Sequence, residues 1–157
     1  VHRPYSGALA ALLLFVQPGA HGADMTRHAR GSFEVKIAPE GQPDTGDGSV
    51  LGRMSLDKTF HGDLTGHSSG TMLTAGSSAV KGSAAYVAVE RFTGALGGRK
   101  GSFALVHRGT MSAAGQDLDI TVVPDSGSGE LTGISGKLGI VIDASGGHAY
   151  DLEYSLP

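Results

Sequence analysis

The sequence predicts an all-β protein: one eight-stranded antiparallel up-and-down barrel with repeated Gly-rich hairpins. Three observations lead there. Apolar and polar residues alternate in segment after segment, a Gly-rich turn pattern recurs, and nothing after residue 23 carries a convincing helical period. Glycine supplies 26 of the 157 residues and proline only six, a balance that suits many tight turns rather than disorder. The length fits one domain. Eight strands in a meander can close on themselves, which removes the exposed edges of an open sheet.

The elements follow in order. RGSFEVKIAP, residues 30–39, puts Phe33, Val35 and Ile37 on one side and Glu34 and Lys36 on the other, the period of a half-buried strand. EGQPDTGDGS, residues 40–49, reads as a polar loop. Strand character resumes in VLGRMSLDKTF, AAYVAVERF, SFALVHRGTM, LDITVV, KLGIVID and AYDLEYSL. The one-parity sets form an expected inner wall: Phe33, Val35, Ile37, Met54, Leu56, Met72, Phe92, Phe103, Leu105, Leu118, Ile120, Leu138, Ile140, Tyr150, Leu152 and Tyr154.

The repeat joins these strands. TGALGGRKGSFALV, residues 93–106, aligns without gaps to SGELTGISGKLGIV, residues 128–141, and HGDLTGHSSGTML, residues 61–73, is a third copy one residue longer. Each reads G-x-L-x-G-x-x-G, or its longer form, ahead of an alternating strand, which suggests repeated hairpins. The third copy contains Gly66-His67-Ser68-Ser69-Gly70, a literal G-x-S-x-G. A nucleophile elbow needs a strand, a sharp turn and a helix, and poor helix material follows Ser68. The repeat places Ser68 in a hairpin turn, equivalent to Arg99 and Ser135, and argues against a nucleophile. GSGELTGISG fails as a dinucleotide fingerprint for want of a following helix.

Composition excludes other classes. There is no cysteine, so disulfides and thiolate metal sites are out. A net charge of −3 with 6% aromatics argues against a nucleic-acid partner. His2 and Arg3, the apolar run GALAALLLFV at 7–16, and Ala20-His21-Gly22 have the three parts of a secretory signal peptide. The expected division is therefore a leader over residues 1–22 and a barrel domain over 23–157, exported to the periplasm or beyond. Translation from Met25 would instead leave a cytoplasmic protein. The run is too short for a stable membrane anchor.

The stretches GSFEVKIAPE, GRMSLDKTFHGDLTGHSSGTML, AVKGSAAYVAVERFTGALGGRKGSFALVHRGTM, VVPDSGSGELTGISGKLGIVID and YDLEYSLP resemble a bacterial domain-of-unknown-function family. That family is related in fold to allene oxide cyclase and more distantly to dirigent proteins. The resemblance covers roughly residues 26–157 and implies an eight-stranded antiparallel barrel of the allene-oxide-cyclase-like type. It implies no activity, because fold does not fix function, and no binding motif of the cyclase is matched here residue by residue.

The chemistry expected inside the barrel rests on strand register. With a turn centred on Gly98-Arg99, Phe92 faces Leu105 and Glu90 faces His107, so Tyr86, Glu90, Phe92, Phe103, Leu105, His107 and Met111 share a face. Glu90 and His107 then form a candidate acid–base pair, with Tyr86 to orient a carbonyl or hydroxyl. The alternative is a buried pair that fixes strand register. Phe92, Phe103, Leu105, Met111, Met72 and Met54 are the expected ligand contacts. The expected partner is a small apolar molecule, with homo-oligomerisation left open and no cofactor called for. An isomerase or cyclase, and a packed barrel without ligand, are the competing readings. His61, Asp63 and His67 do not make a metal site, because His67 is placed in the turn. Asp44 to Gly48 reads as polar loop, and Asp125 as a turn residue.

Overall fold

The computed structural model describes residues 25–157; the expected leader over residues 1–22 lies outside them. Every regular element among the described residues is a strand: β1 (Arg27–Pro39), β2 (Asp44–Gly46), β3 (Ser49–Gly62), β4 (Leu64–Ser77), β5 (Ala84–Leu96), β6 (Arg99–Ser112), β7 (Gly115–Val122), β8 (Ser128–Gly129), β9 (Ser135–Ile142) and β10 (His148–Ser155). Eight of them run antiparallel in the order β1-β10-β9-β7-β6-β5-β4-β3, and β1 pairs with β3 to close the barrel. β2 and β8 are short additions on β3 and β6. β2 turns part of the expected loop at 40–49 into a small exposed hairpin with β3.

Glycine shapes the turns where the chain must reverse tightly. Leu96 pairs with Arg99, leaving Gly97 and Gly98 as a two-residue loop with φ of 55° and 85°. Two consecutive positive φ values match the right-handed twist of the flanking strands and suit glycine best. This corrects the turn centre by one residue. Glu90 therefore pairs with Leu105, and His107 with Ala88. A shift of one at the turn moves each partner by two, so every side chain keeps its predicted face. Asp125 takes a positive φ of 58° in the turn after Pro124.

A second correction concerns Ser68. It is not in a turn but in β4, opposite Lys58 on β3 and Phe92 on β5. Arg99 and Ser135, its supposed equivalents, begin β6 and β9. What the repeat encodes is the closed end of the barrel. Its leucines, Leu64, Leu96 and Leu131, are all buried there with Ile134 and Leu156. The copy at 128–141 is not a hairpin: β8 pairs with β6, and the chain turns through Leu131 and Ile134 into β9.

Above this plug lies an aromatic layer. Phe60 meets Phe92 edge-on at 5.6 Å between centroids and Tyr150 at 5.5 Å, while Phe92 lies 5.1 Å from Phe103. The Tyr150 hydroxyl accepts from Leu64 N and donates to the His61 carbonyl, so no polar group is stranded. The opposite end is looser. β7 and β9 share one bridge, Thr121 with Lys137, and toward the mouth they carry no further ladder between them.

Candidate functional site

Small residues make room for a charged cluster at mid-barrel. On β4 the inward positions are Leu64, Gly66, Ser68, Gly70 and Met72, so the G-x-S-x-G of the sequence is one face of a strand. A Cβ on Gly66 would strike the backbone of Thr93 and Gly94, and one on Gly70 would strike Val89 and Glu90. The close approach at Gly70 lets the Glu90 side chain enter the barrel.

Glu90 is the centre of the cluster. Its side chain is 0% exposed, and that of Lys58 3%. Lys58 Nζ donates to Glu90 Oε1 at 2.7 Å, Ser68 Oγ donates to Oε2 at 2.6 Å, and His107 Nε2 bonds Oε1 at 2.8 Å. Burial is the largest influence on this carboxyl and by itself would raise its pKa. The His107 hydrogen bond, the Lys58 charge, the His107 charge and the Lys58 hydrogen bond together outweigh it and bring the pKa down to about 2. Glu90 is thus a carboxylate. Lys58 also stands over the Phe33 ring, 5.1 Å from its centroid. Among the described residues, no buried side-chain nitrogen or oxygen lacks a partner.

The cluster separates two halves of the interior. Below it is the aromatic layer. Above it is an apolar cup of about 150 Å³, lined chiefly by Phe33, Val35, Leu56, Met72, Leu118 and Ile140, with Lys58, His107, His148 and Tyr86 also reaching it. Ile37, 46% exposed, and Leu118, 42% exposed, sit toward its rim. The Tyr86 ring lies over Gly109, directly opposite on β6, where any Cβ would collide with it. Burial, then the Glu90 charge, raises the Tyr86 pKa, so the phenol stays protonated.

The structure brings Glu90 and His107 together as the sequence suggests, and places Tyr86 on the same cup. Of the six expected ligand residues, Met72 lines the cup. Phe92, Phe103 and Leu105 are packed in the core, and Met54 and Met111 are half-buried outside the cup's lining. Sequence reasoning missed Lys58 and the inward role of Ser68. The available signal was parity: Lys58 shares the face of Leu56 and Phe60 on an alternating strand. A lysine on an apolar face reads more readily as a solvated end than as a buried cation.

A larger hollow, about 590 Å³, lies on the outer surface among Glu34, Lys36, Asp57, Thr59, His67, Ser69, Arg91 and Thr93. Lys58 and Ser68 border it too, but their side chains turn inward to Glu90, so the buried chemistry opens on the cup and not here. His67 is on β4, not in a turn, and bonds Thr59. His61 bonds Glu34, and Asp63 accepts from the Arg30 backbone. Among the described residues, no group of three or more His, Asp or Glu is arranged to hold a metal ion.

Comparison with known proteins agrees with this architecture. The chain is similar to a protein of unknown function from Shewanella oneidensis MR-1 whose crystal structure is solved. The two share 47% identity, the match covers 85% of this chain and 99% of the other, and the TM-score is 0.78. No curated protein matches. The family described as "Protein of unknown function (DUF3224)" matches residues 29–154, almost all of the barrel, and the chain belongs to that family.

Proposed function

We propose that the barrel binds a small, partly apolar molecule in the cup. One observation carries this reading: an apolar wall rises over a floor of buried, ordered polar groups. A binding site of that kind takes an apolar body into the wall and a polar head onto the floor. The packed lower half supports it further, because it leaves a rigid base for the floor. The size of the cup restricts the ligand to a compact molecule or to one end of a longer one. The reading includes an allene-oxide-cyclase-like barrel that works outside the cytoplasm after cleavage of residues 1–22. The tripartite leader pattern supports export, and the mass of the protein from its own host tests it: a start at Ala23 agrees, and a start at Met25 does not.

Titration with indole, followed by amide and methyl chemical shifts, tests the binding itself. Shifts concentrated at Val35, Leu56, Met72 and Ile140, and abolished by Met72→Trp, are expected. Shifts scattered over the outer surface, or none at millimolar indole, would sink the proposal in favour of a barrel that acts without a ligand.

A further inference from the structure

Glu90 is a poor candidate for meeting a ligand. It is enclosed, and its two oxygens already accept from Lys58, Ser68 and His107. Its partner is better placed. A carboxylate only accepts, so His107 Nε2 carries the hydrogen of that bond, and in the neutral ring Nδ1 then holds the lone pair. That nitrogen has no protein partner among the described hydrogen bonds. Among the described residues no buried side-chain nitrogen lacks a partner, and His107 lines the cup. Of the two ring nitrogens, Nδ1 is the one left free of Glu90. Lys58 lines the same floor with one of its three N–H groups used on Glu90, and Tyr86 lines the cup with a phenol that burial keeps protonated.

We propose that the cup floor is a proton-transfer site for small carbonyl compounds: His107 Nδ1 takes a proton from the carbon next to the carbonyl, while Lys58 and Tyr86 hold the carbonyl oxygen. This rests on the cup being the binding site. The α C–H bond breaks, its electron pair becomes the C=C bond of an enolate, and the carbonyl π pair moves onto oxygen. The Lys58 ammonium and the Tyr86 hydroxyl face the charge that develops there, in surroundings from which the apolar wall excludes water. The proton rests on His107, whose imidazolium is stabilised by Glu90. Replacement of that proton by one from solvent before return to the same carbon gives exchange, and delivery to the γ carbon of a β,γ-enone gives the conjugated isomer. Atoms and electrons balance with no co-reactant. His107, Lys58 and Tyr86 are the catalytic residues. Glu90 is a positioning residue that sets the tautomer, and Ser68 holds Glu90.

Cyclohex-3-enone is the probe. Its binding is read by displacement of indole, its conversion by the ultraviolet absorbance of the conjugated ketone, and its exchange by loss of α-proton signal in heavy water. The wild-type chain is expected to speed both reactions above buffer. His107→Gln is expected to slow them by about a hundredfold or more with indole binding kept, in line with the usual contribution of a general base. Glu90→Gln should lower kcat with little change in KM, because the imidazolium loses the carboxylate charge that stabilises it. His107→Gly should regain activity on adding imidazole, which a merely structural histidine would not. Where a floor variant fails to fold, Met72→Trp leaves the floor intact and should remove binding and turnover together. A probe that displaces indole but isomerises and exchanges no faster than in buffer overturns the proton-transfer inference and leaves binding standing. Full activity in His107→Gln overturns it in the same way. A probe that fails to displace bound indole overturns the proton-transfer inference, and failure of indole itself to bind overturns both.

Discussion

The two ends of this barrel are built from the same strands by the same alternation, yet one is filled and the other is hollow. At the closed end, inward positions carry Phe60, Phe92 and Phe103, and the repeat leucines and Ile134 close it from below. At the mouth, the inward positions of the same sheet carry Met72, Leu56, Val35 and Ile140, which cover less of the lumen. Side-chain volume accounts for part of the difference, since a barrel of eight strands is just wide enough for large side chains to fill, and the single bridge between β7 and β9 at the mouth adds to it. Between the halves sits Glu90 with its three donors. Burial of such a cluster is seldom the most stable use of a core, because desolvation opposes the ion pairing. Its position at the boundary puts Lys58 and His107 on the floor of the cup while Glu90 stays enclosed.

The sharpest way to break this contrast is to cut a large side chain from each half. Phe60→Ala in the aromatic layer should cost about 3–5 kcal/mol, whereas Met72→Ala at the cup, where space already exists, should cost about 1 kcal/mol or less. Denaturant unfolding measures both. Equal losses would mean that the cup closes in solution.

Acid tests the boundary between the halves. The Glu90 pKa is depressed from 4.5 to about 2, so its stabilising contribution is complete above about pH 4.5 and is lost as pH falls from there toward about 2. The shift corresponds to roughly 3 kcal/mol. Glu90→Gln should flatten stability against pH within that window and leave the profile above it parallel to the wild type. A profile between pH 4.5 and 2 that is unchanged by this substitution would show that other carboxyls carry the acid sensitivity.

The smallest effect should appear in local opening. The β7–β9 seam has one bridge at Thr121–Lys137, so amides of Leu118 and Ile142 near the mouth should exchange at least about tenfold faster than those of Phe92 and Phe103. Uniform protection around the barrel would indicate that the seam is zipped in solution.

Much of the fold is legible in alternation. Period two places Phe33, Val35, Phe92, Phe103, Leu105 and Leu152 inward, and the Gly-rich repeat locates the tight turn at Gly97-Gly98 to within one residue. That error does no harm to facing, because a turn shift of one displaces partners by two. Ser68 is the opposite case. Aligned repeats share sequence without sharing local structure, so a residue assigned to a turn proves to be four positions inside β4.

Alternation along the chain is enough to establish an antiparallel all-β domain, to divide each strand into two faces, and to put Glu90 and His107 on the same one. These follow from backbone geometry, since side chains on a strand can only alternate. It took the folded barrel to bring Lys58 and Ser68 to them, to hold Glu90 ionised, and to leave the interior packed below and hollow above. Those properties arise across the barrel, from strands that are not neighbours in the chain, such as Lys58 on β3 reaching Glu90 on β5 past the gap left by Gly70. No local pattern records such a distance, because closure of the sheet creates it.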